Sequence, residues 1–213
     1  MLKSVKNELK SVIKDFGFGL GFTCIMTMCM LNTALYAYQN MYSDVSEITH
    51  ASGAFILNAD SRLSGIFSIV YMFIILLPAS FRHRKNVRNS TVMNIMVRTG
   101  VTGYYVIEVI ACFIGTFLML FLPLIIEICV NELVFPSKTV IDFSYNSMST
   151  ISGDNVLVKA YSSGIPFPSL FLSNPELYNF LYAFIFSFCC GIYASFVYAL
   201  LLYIKNYPNH VKF

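Results

Sequence analysis

Residues Phe81–Gly100, FRHRKNVRNSTVMNIMVRTG, decide how the chain is read. Arg82, Arg84, Lys85, Arg88 and Arg98 fall in this stretch without one acidic residue, and a long apolar run lies on either side. Hydrocarbon excludes such a cluster, and short loops rich in Lys and Arg stay on the cytoplasmic side of a membrane. The stretch therefore reads as an inner loop between two spanning helices. Within it, Val92, Ile95 and Met96 lie toward one side of a two-turn helix over Thr91–Arg98. A helix that short needs the membrane surface or a partner to hold it.

Working outward, the apolar runs place spans at about 16–42, 63–80, 101–130 and 177–204, against the roughly 20 helical residues a bilayer core requires. Composition agrees. Only 12% of the 213 residues are charged and 57% are hydrophobic, whereas a soluble domain carries about 25% charged residues to cover its surface. Four spans put the N-terminal segment, the 81–100 loop and the C-terminal tail on one side of the membrane. Eleven of the fourteen Lys and Arg residues fall there, and only Arg62, Lys138 and Lys159 fall opposite, in the external segments 43–62 and 131–176. The expected fold is one transmembrane domain over 1–213: an all-α integral membrane protein with about four transmembrane helices and cytoplasmic N- and C-termini.

Residues 1–15 alternate lysines with Val5, Leu9, Val12 and Ile13, and Phe16 continues that helical spacing. The pattern predicts a short amphipathic helix on the inner membrane surface. The next apolar run is too long for a signal peptide, and no small-x-small cleavage site stands after it, so the first span is expected to stay uncleaved. Tyr36, Tyr38 and Tyr42 fit the outer headgroup zone. In the second external segment, Lys138–Ser144 and Val156–Tyr161 read as short strands around a turn at Ser152–Gly153–Asp154, and Pro166 and Pro168 make the stretch leading into the fourth span irregular.

Three polar residues stand inside the apolar runs. Asn32 either bonds a neighbouring helix or faces a substrate path, and the first is the preferred reading. Glu108, two turns into the third span, calls for a partner, hydration or neutrality; a basic residue near Arg98 is the expected one. Glu127 reads as reaching the outer headgroups. Gly17, Gly19 and Gly21 permit either close helix approach or local bending, and Pro78 and Pro123 mark places to kink or end a helix.

No constellation for bond-making chemistry occurs. The sequence lacks GxxxxGK[ST], HExxH and GxSxG. His50 falls outside and His83 and His210 inside, so they do not share a metal site. The six cysteines lie in or at the ends of apolar runs without CxxC or His spacing, and read as small apolar side chains. A net charge of +3, concentrated where topology already explains it, gives nucleic-acid binding no support. No catalytic residue, metal or cofactor is expected.

The organising loop also resembles the inner-loop region of type-two ABC permeases, the membrane subunits of many bacterial ATP-driven exporters. The likeness rests on Phe81–Arg82 at the end of a span and on Val87–Arg88–Asn89. It continues through the short helix around Thr91–Met96, then Arg98, and Tyr104–Tyr105 at the start of the next span. Asn94 stands near the place of the glycine that precedes the arginine in that family. The closing segment PELYNFLYAFIFSFCCGIYASFVYALLLYIKN is similar to a later span of such permeases. The resemblance implies a permease subunit in a bacterial plasma membrane, coupled to a separate ATP-binding subunit through Arg82, Arg84, Lys85, Arg88, Asn89 and Arg98. It implies a peptide, lipid or antibiotic as cargo, with any ATP hydrolysis in the partner chain. Family members usually have six spans, so four imply a shortened or split subunit that needs a second permease copy or a complementary chain. The other reading of the residues is a membrane anchor, sensor or regulatory subunit that transports nothing.

Overall fold

A computed structural model of the chain describes residues 9–41, 51–58, 61, 63–81, 100–135, 167, 170 and 174–206. Its order is α1 (Phe16–Gln39), a 3-10 turn (Ala51–Ala54), α2 (Ser64–Ile74), α3 (Val101–Val134) and α4 (Pro175–Asn206). None of the described residues lies in a strand. The loop residues 82–99, the strands expected at 138–144 and 156–161, and the turn at 152–154 lie outside the described residues.

Four helical stretches are long and apolar enough to cross a membrane: Phe16–Gln39, Ser64–Phe81, Thr102–Val134 and Pro175–Leu202. Their ends follow local chemistry. Gly100 opens α3 at φ 75°, in the left-handed region where only glycine is unstrained, and its carbonyl accepts from the Tyr104 N–H at 3.1 Å. Asn174 caps α4: its Oδ1 accepts from the Leu177 N–H at 3.1 Å, Pro175 takes the first helical position, and Glu176 meets the positive end of the dipole. Pro78 leaves its mark on the second span. Its ring displaces the carbonyl four residues back, residues 75–76 form a turn, and the Leu76 N–H bonds the Phe73 carbonyl at 3.3 Å instead of holding an α-helical bond.

The chain forms two compact units, each drawn from all four helical stretches. The first holds residues 1–25, 69–122 and 186–213, and the second holds 26–68 and 123–185. The first unit thus contains the start of α1, the end of the second span, the start of α3 and the end of α4. That is the membership expected if the spans alternate in direction.

Packing in the first unit relies on small residues and rings. A Cβ at Gly17 would stand 2.9 Å from both the Leu77 carbonyl oxygen and Phe81 Cβ, and one at Gly191 would stand 3.0 Å from the Phe113 ring. The Phe16 ring meets Phe81 edge-on at 5.5 Å, and Phe113 meets Phe188 likewise at 5.4 Å. Of the α1 glycines, Gly17 and Gly21 serve close approach, whereas nothing lies within 4 Å of a Cβ at Gly19. Of the N-terminal segment expected to form an amphipathic helix, residues 1–8 lie outside the described residues. Residues 9–13 are helical, but Val12 is buried and lies against Gly115 of α3. Gly115 has no side chain to keep it out.

Outward faces remain apolar. Ile66, Ile69, Met72 and Phe73 are exposed on α2, and Phe180, Phe184, Phe188, Ile192, Phe196 and Leu200 form an exposed row at four-residue spacing on α4. Water would penalise such faces, and lipid does not.

Candidate functional site

Of the three intramembrane polar residues singled out in the sequence, Glu108 falls in the first unit and Asn32 and Glu127 in the second. In the first unit Glu108 is buried, and the Tyr198 hydroxyl donates to its Oε2 at 3.2 Å. Tyr198, fully buried itself, packs with Ala79 and Cys112. The depth of Glu108 follows from register. Gly21 abuts Met119 and Ile74, so at 1.5 Å per residue Glu108 lies about 16 Å further toward the start of α3 than that contact, while Phe16 is only about 8 Å from it. Glu108 is therefore nearer the loop-bearing ends of the second span and α3 than the Gly21 contact is. Arg82, Arg84, Lys85, Arg88, Asn89 and Arg98 lie outside the described residues.

In the second unit Asn32 is the hub of a closed polar cluster. Its Nδ2 donates to Glu127 Oε1 at 3.0 Å and to the Ala54 carbonyl at 2.6 Å, and its Oδ1 accepts from the Ser61 hydroxyl at 2.6 Å. Glu127 Oε1 also accepts from the Ile56 N–H at 3.1 Å. One turn further along, the Thr33 hydroxyl donates to Asn131 Oδ1 at 2.8 Å. Its contact with the Cys29 carbonyl is longer, at 3.3 Å; one hydroxyl proton serves the shorter bond. Asn32 thus makes the helix–helix bond, and in addition it holds the connection between the first two spans.

From sequence, that connection is expected to be a helical or irregular external segment, and its described residues include the 3-10 turn. Ala51, Ala54, Phe55 and Ile56 are buried, with exposures of 0–1%. The 3-10 turn packs against Phe135, with Tyr36 and Ala37 behind it. Of the tyrosines expected in the headgroup zone, Tyr36 faces Phe135 edge-on at 5.1 Å, Tyr38 is 73% exposed, and Tyr42 lies outside the described residues. Asn32 and Glu127 both sit two turns, about 10 Å, inside their helix ends. Backbone that leaves helical geometry at such a depth needs its polar groups met by protein. Asn32 meets the Ala54 carbonyl and Glu127 meets the Ile56 N–H.

Glu127 does not reach the headgroups. It is 0% exposed, because it shares the buried face of α3 with Leu120, Leu124 and Asn131, and α3 runs on to Val134, one turn past its expected end. The sequence did carry a signal for this. Glu127 and Asn131 are a polar pair one turn apart near the outer end of one span, and Asn32–Thr33 are consecutive polar residues near the outer end of another.

Chemically, the second-unit cluster is a hydrogen-bond lock. Among the described residues no three His, Cys, Asp or Glu side chains converge as a metal-ligand set, and Glu127 is met by the Asn32 amide, the Ile56 backbone N–H and the Cys29 thiol. All six cysteines are free thiols.

No protein-family model, no curated protein and no solved structure matches this chain. Its described residues identify it as an all-α, multi-pass membrane protein, with four helices among them long and apolar enough to span.

Proposed function

We propose that the chain is a permease-like subunit of an ATP-driven exporter in a bacterial plasma membrane, and that it takes movement from a separate ATP-binding subunit through residues 81–100. The cargo class is amphiphilic: a peptide, lipid or antibiotic. This chain carries no catalytic residue in that scheme, and a second permease copy or a complementary chain completes the pathway. The observation that carries the reading is where the basic loop is attached. Its two ends, Phe81 and Gly100, belong to a compact unit that also contains the start of α1 and the end of α4. Close contacts at Gly17 and Gly191 tie those elements together, so a displacement of the loop enters a unit that touches every span. Rigid helices joined through such contacts transmit motion instead of absorbing it.

Single cysteines introduced from Val87 to Arg98, crosslinked in native membranes, test the reading. Adducts with an ATP-binding subunit support it. Adducts only from the N-terminal segment, or none with any nucleotide-binding chain, reject it. Purification of the full-length protein in mild detergent then identifies the chain that supplies the remaining spans.

The second reading, a membrane anchor or regulatory subunit, draws support from Asn32 and Glu127. These side chains bond each other, the Ala54 carbonyl and the Ile56 N–H, which supports a structural role for Asn32. A native complex without a nucleotide-driven motor favours this alternative.

A further inference from the structure

Glu127 and Asn131 each use only half of their polar capacity. Glu127 Oε1 accepts two hydrogen bonds, but Oε2 has no partner. Asn131 Oδ1 accepts from Thr33, but Nδ2 has no partner. Both residues are shut away from solvent, at 0% and 2% exposure. They stand one turn apart on α3, where side chains on the same helix face lie about 5–6 Å apart at Cβ. Asn32 holds the carboxyl group of Glu127 and Thr33 the amide of Asn131.

We propose that this pair holds a buried water molecule that bridges Glu127 Oε2 and Asn131 Nδ2. One unmet atom is an acceptor and the other a donor. A water molecule offers both a hydrogen and a lone pair from a single atom and is small enough for a closed site. An alkali cation would suit the carboxylate but confront the amide N–H, and an anion would suit the amide but confront the carboxylate. Interior waters typically make about three hydrogen bonds, and the Cys29 thiol lies against the same carboxyl group. The bridge joins two otherwise separate pieces, the Asn32–Glu127–Ile56 cluster and the Thr33–Asn131 pair, into one network between α1 and α3. The inference rests on these contacts alone and is independent of the exporter reading.

Radiolytic labelling of the full-length protein in lipid nanodiscs tests it, because hydroxyl radicals formed from a bound water oxidise side chains beside it even when bulk solvent is excluded. Cys29 and Cys112 are both 0% exposed, and Cys112 packs with Ala79 and Tyr198, so it serves as the reference. The expected result is oxidation of Cys29 about tenfold faster than Cys112, since susceptibility otherwise follows exposure. Asn131→Leu is expected to bring the two rates together. Equal rates in the unaltered protein overturn the proposal, and that comparison does not depend on any variant folding. A Cys29 rate that changes when sodium chloride is replaced by choline chloride also overturns it, in favour of a cation in the site.

Discussion

The two units of this protein are built from the same four helices but held together differently. In the second, an irregular stretch of backbone is inserted between α1 and α3, and directional bonds from Asn32 and Glu127 hold it there. In the first, glycines let backbones and rings approach, and one carboxyl group, Glu108, is met by Tyr198. The contrast follows from what each unit must bury. Helices satisfy their own backbone and need only shape to pack. An inserted connection brings unmet carbonyl and N–H groups, and side chains from neighbouring helices must answer them. The second unit therefore should fail when a polar atom is removed, and the first when a small residue is enlarged.

The largest effect is expected at Glu127. Glu127→Leu removes the acceptor of the Ile56 N–H and one of the two acceptors of Asn32, leaving buried donors unmet. The expected loss is about 2–3 kcal/mol of stability, read as a lowered midpoint of thermal unfolding in detergent. Glu127→Gln keeps an oxygen in place to accept both bonds and should lose less than about 1 kcal/mol. Equal losses from the two variants would mean that the carboxyl group does not hold the connection, and the contrast between the units would fall with it.

Next comes the pair Gly17 and Gly19, two residues apart on α1. Gly17→Ala puts a methyl group 2.9 Å from a backbone carbonyl oxygen that cannot move aside cheaply, for an expected loss of about 1–3 kcal/mol. Gly19→Ala meets nothing within 4 Å and should be neutral or gain up to about 1 kcal/mol from helix propensity. The same thermal measurement decides, and its outcome is the sign of the difference. If both substitutions are neutral, the first unit does not depend on close approach at that crossing.

These variants also mark how much could be read before the structure. The spans were legible because hydropathy and charge are local properties, and the Asn174–Pro175–Glu176 helix start is a local signal too. Glu127 was not. A carboxyl near a helix end has two stable solutions, outward to the headgroups or inward to a donor, and the choice turned on the Asn32 and Ile56 donors that face it. The connection at 51–61 was less legible still. It has no periodicity of its own, and its fate is set by partners 22 and 71 residues away in sequence. The same limit applied to Val12, whose amphipathic spacing fits a membrane surface as well as it fits the notch at Gly115.

The smallest expected effect lies at Tyr198, and it tests the contrast from the other side. Tyr198→Phe keeps the ring, which is fully buried against Ala79 and Cys112, and deletes only the hydroxyl that donates to Glu108 at 3.2 Å. Glu108 has further interactions beyond this bond, and it lies about 16 Å along α3 from the Gly21 crossing that packs the unit. Polar side-chain bonds between spanning helices average about 0.6 kcal/mol, so the unfolding midpoint should fall only slightly, and by much less than in Glu127→Leu. A loss as large as the one at Glu127 would show that the first unit, too, is held by a polar bond. The distinction between insertion and packing would then have to give way to one in which each unit is pinned by its own carboxyl group.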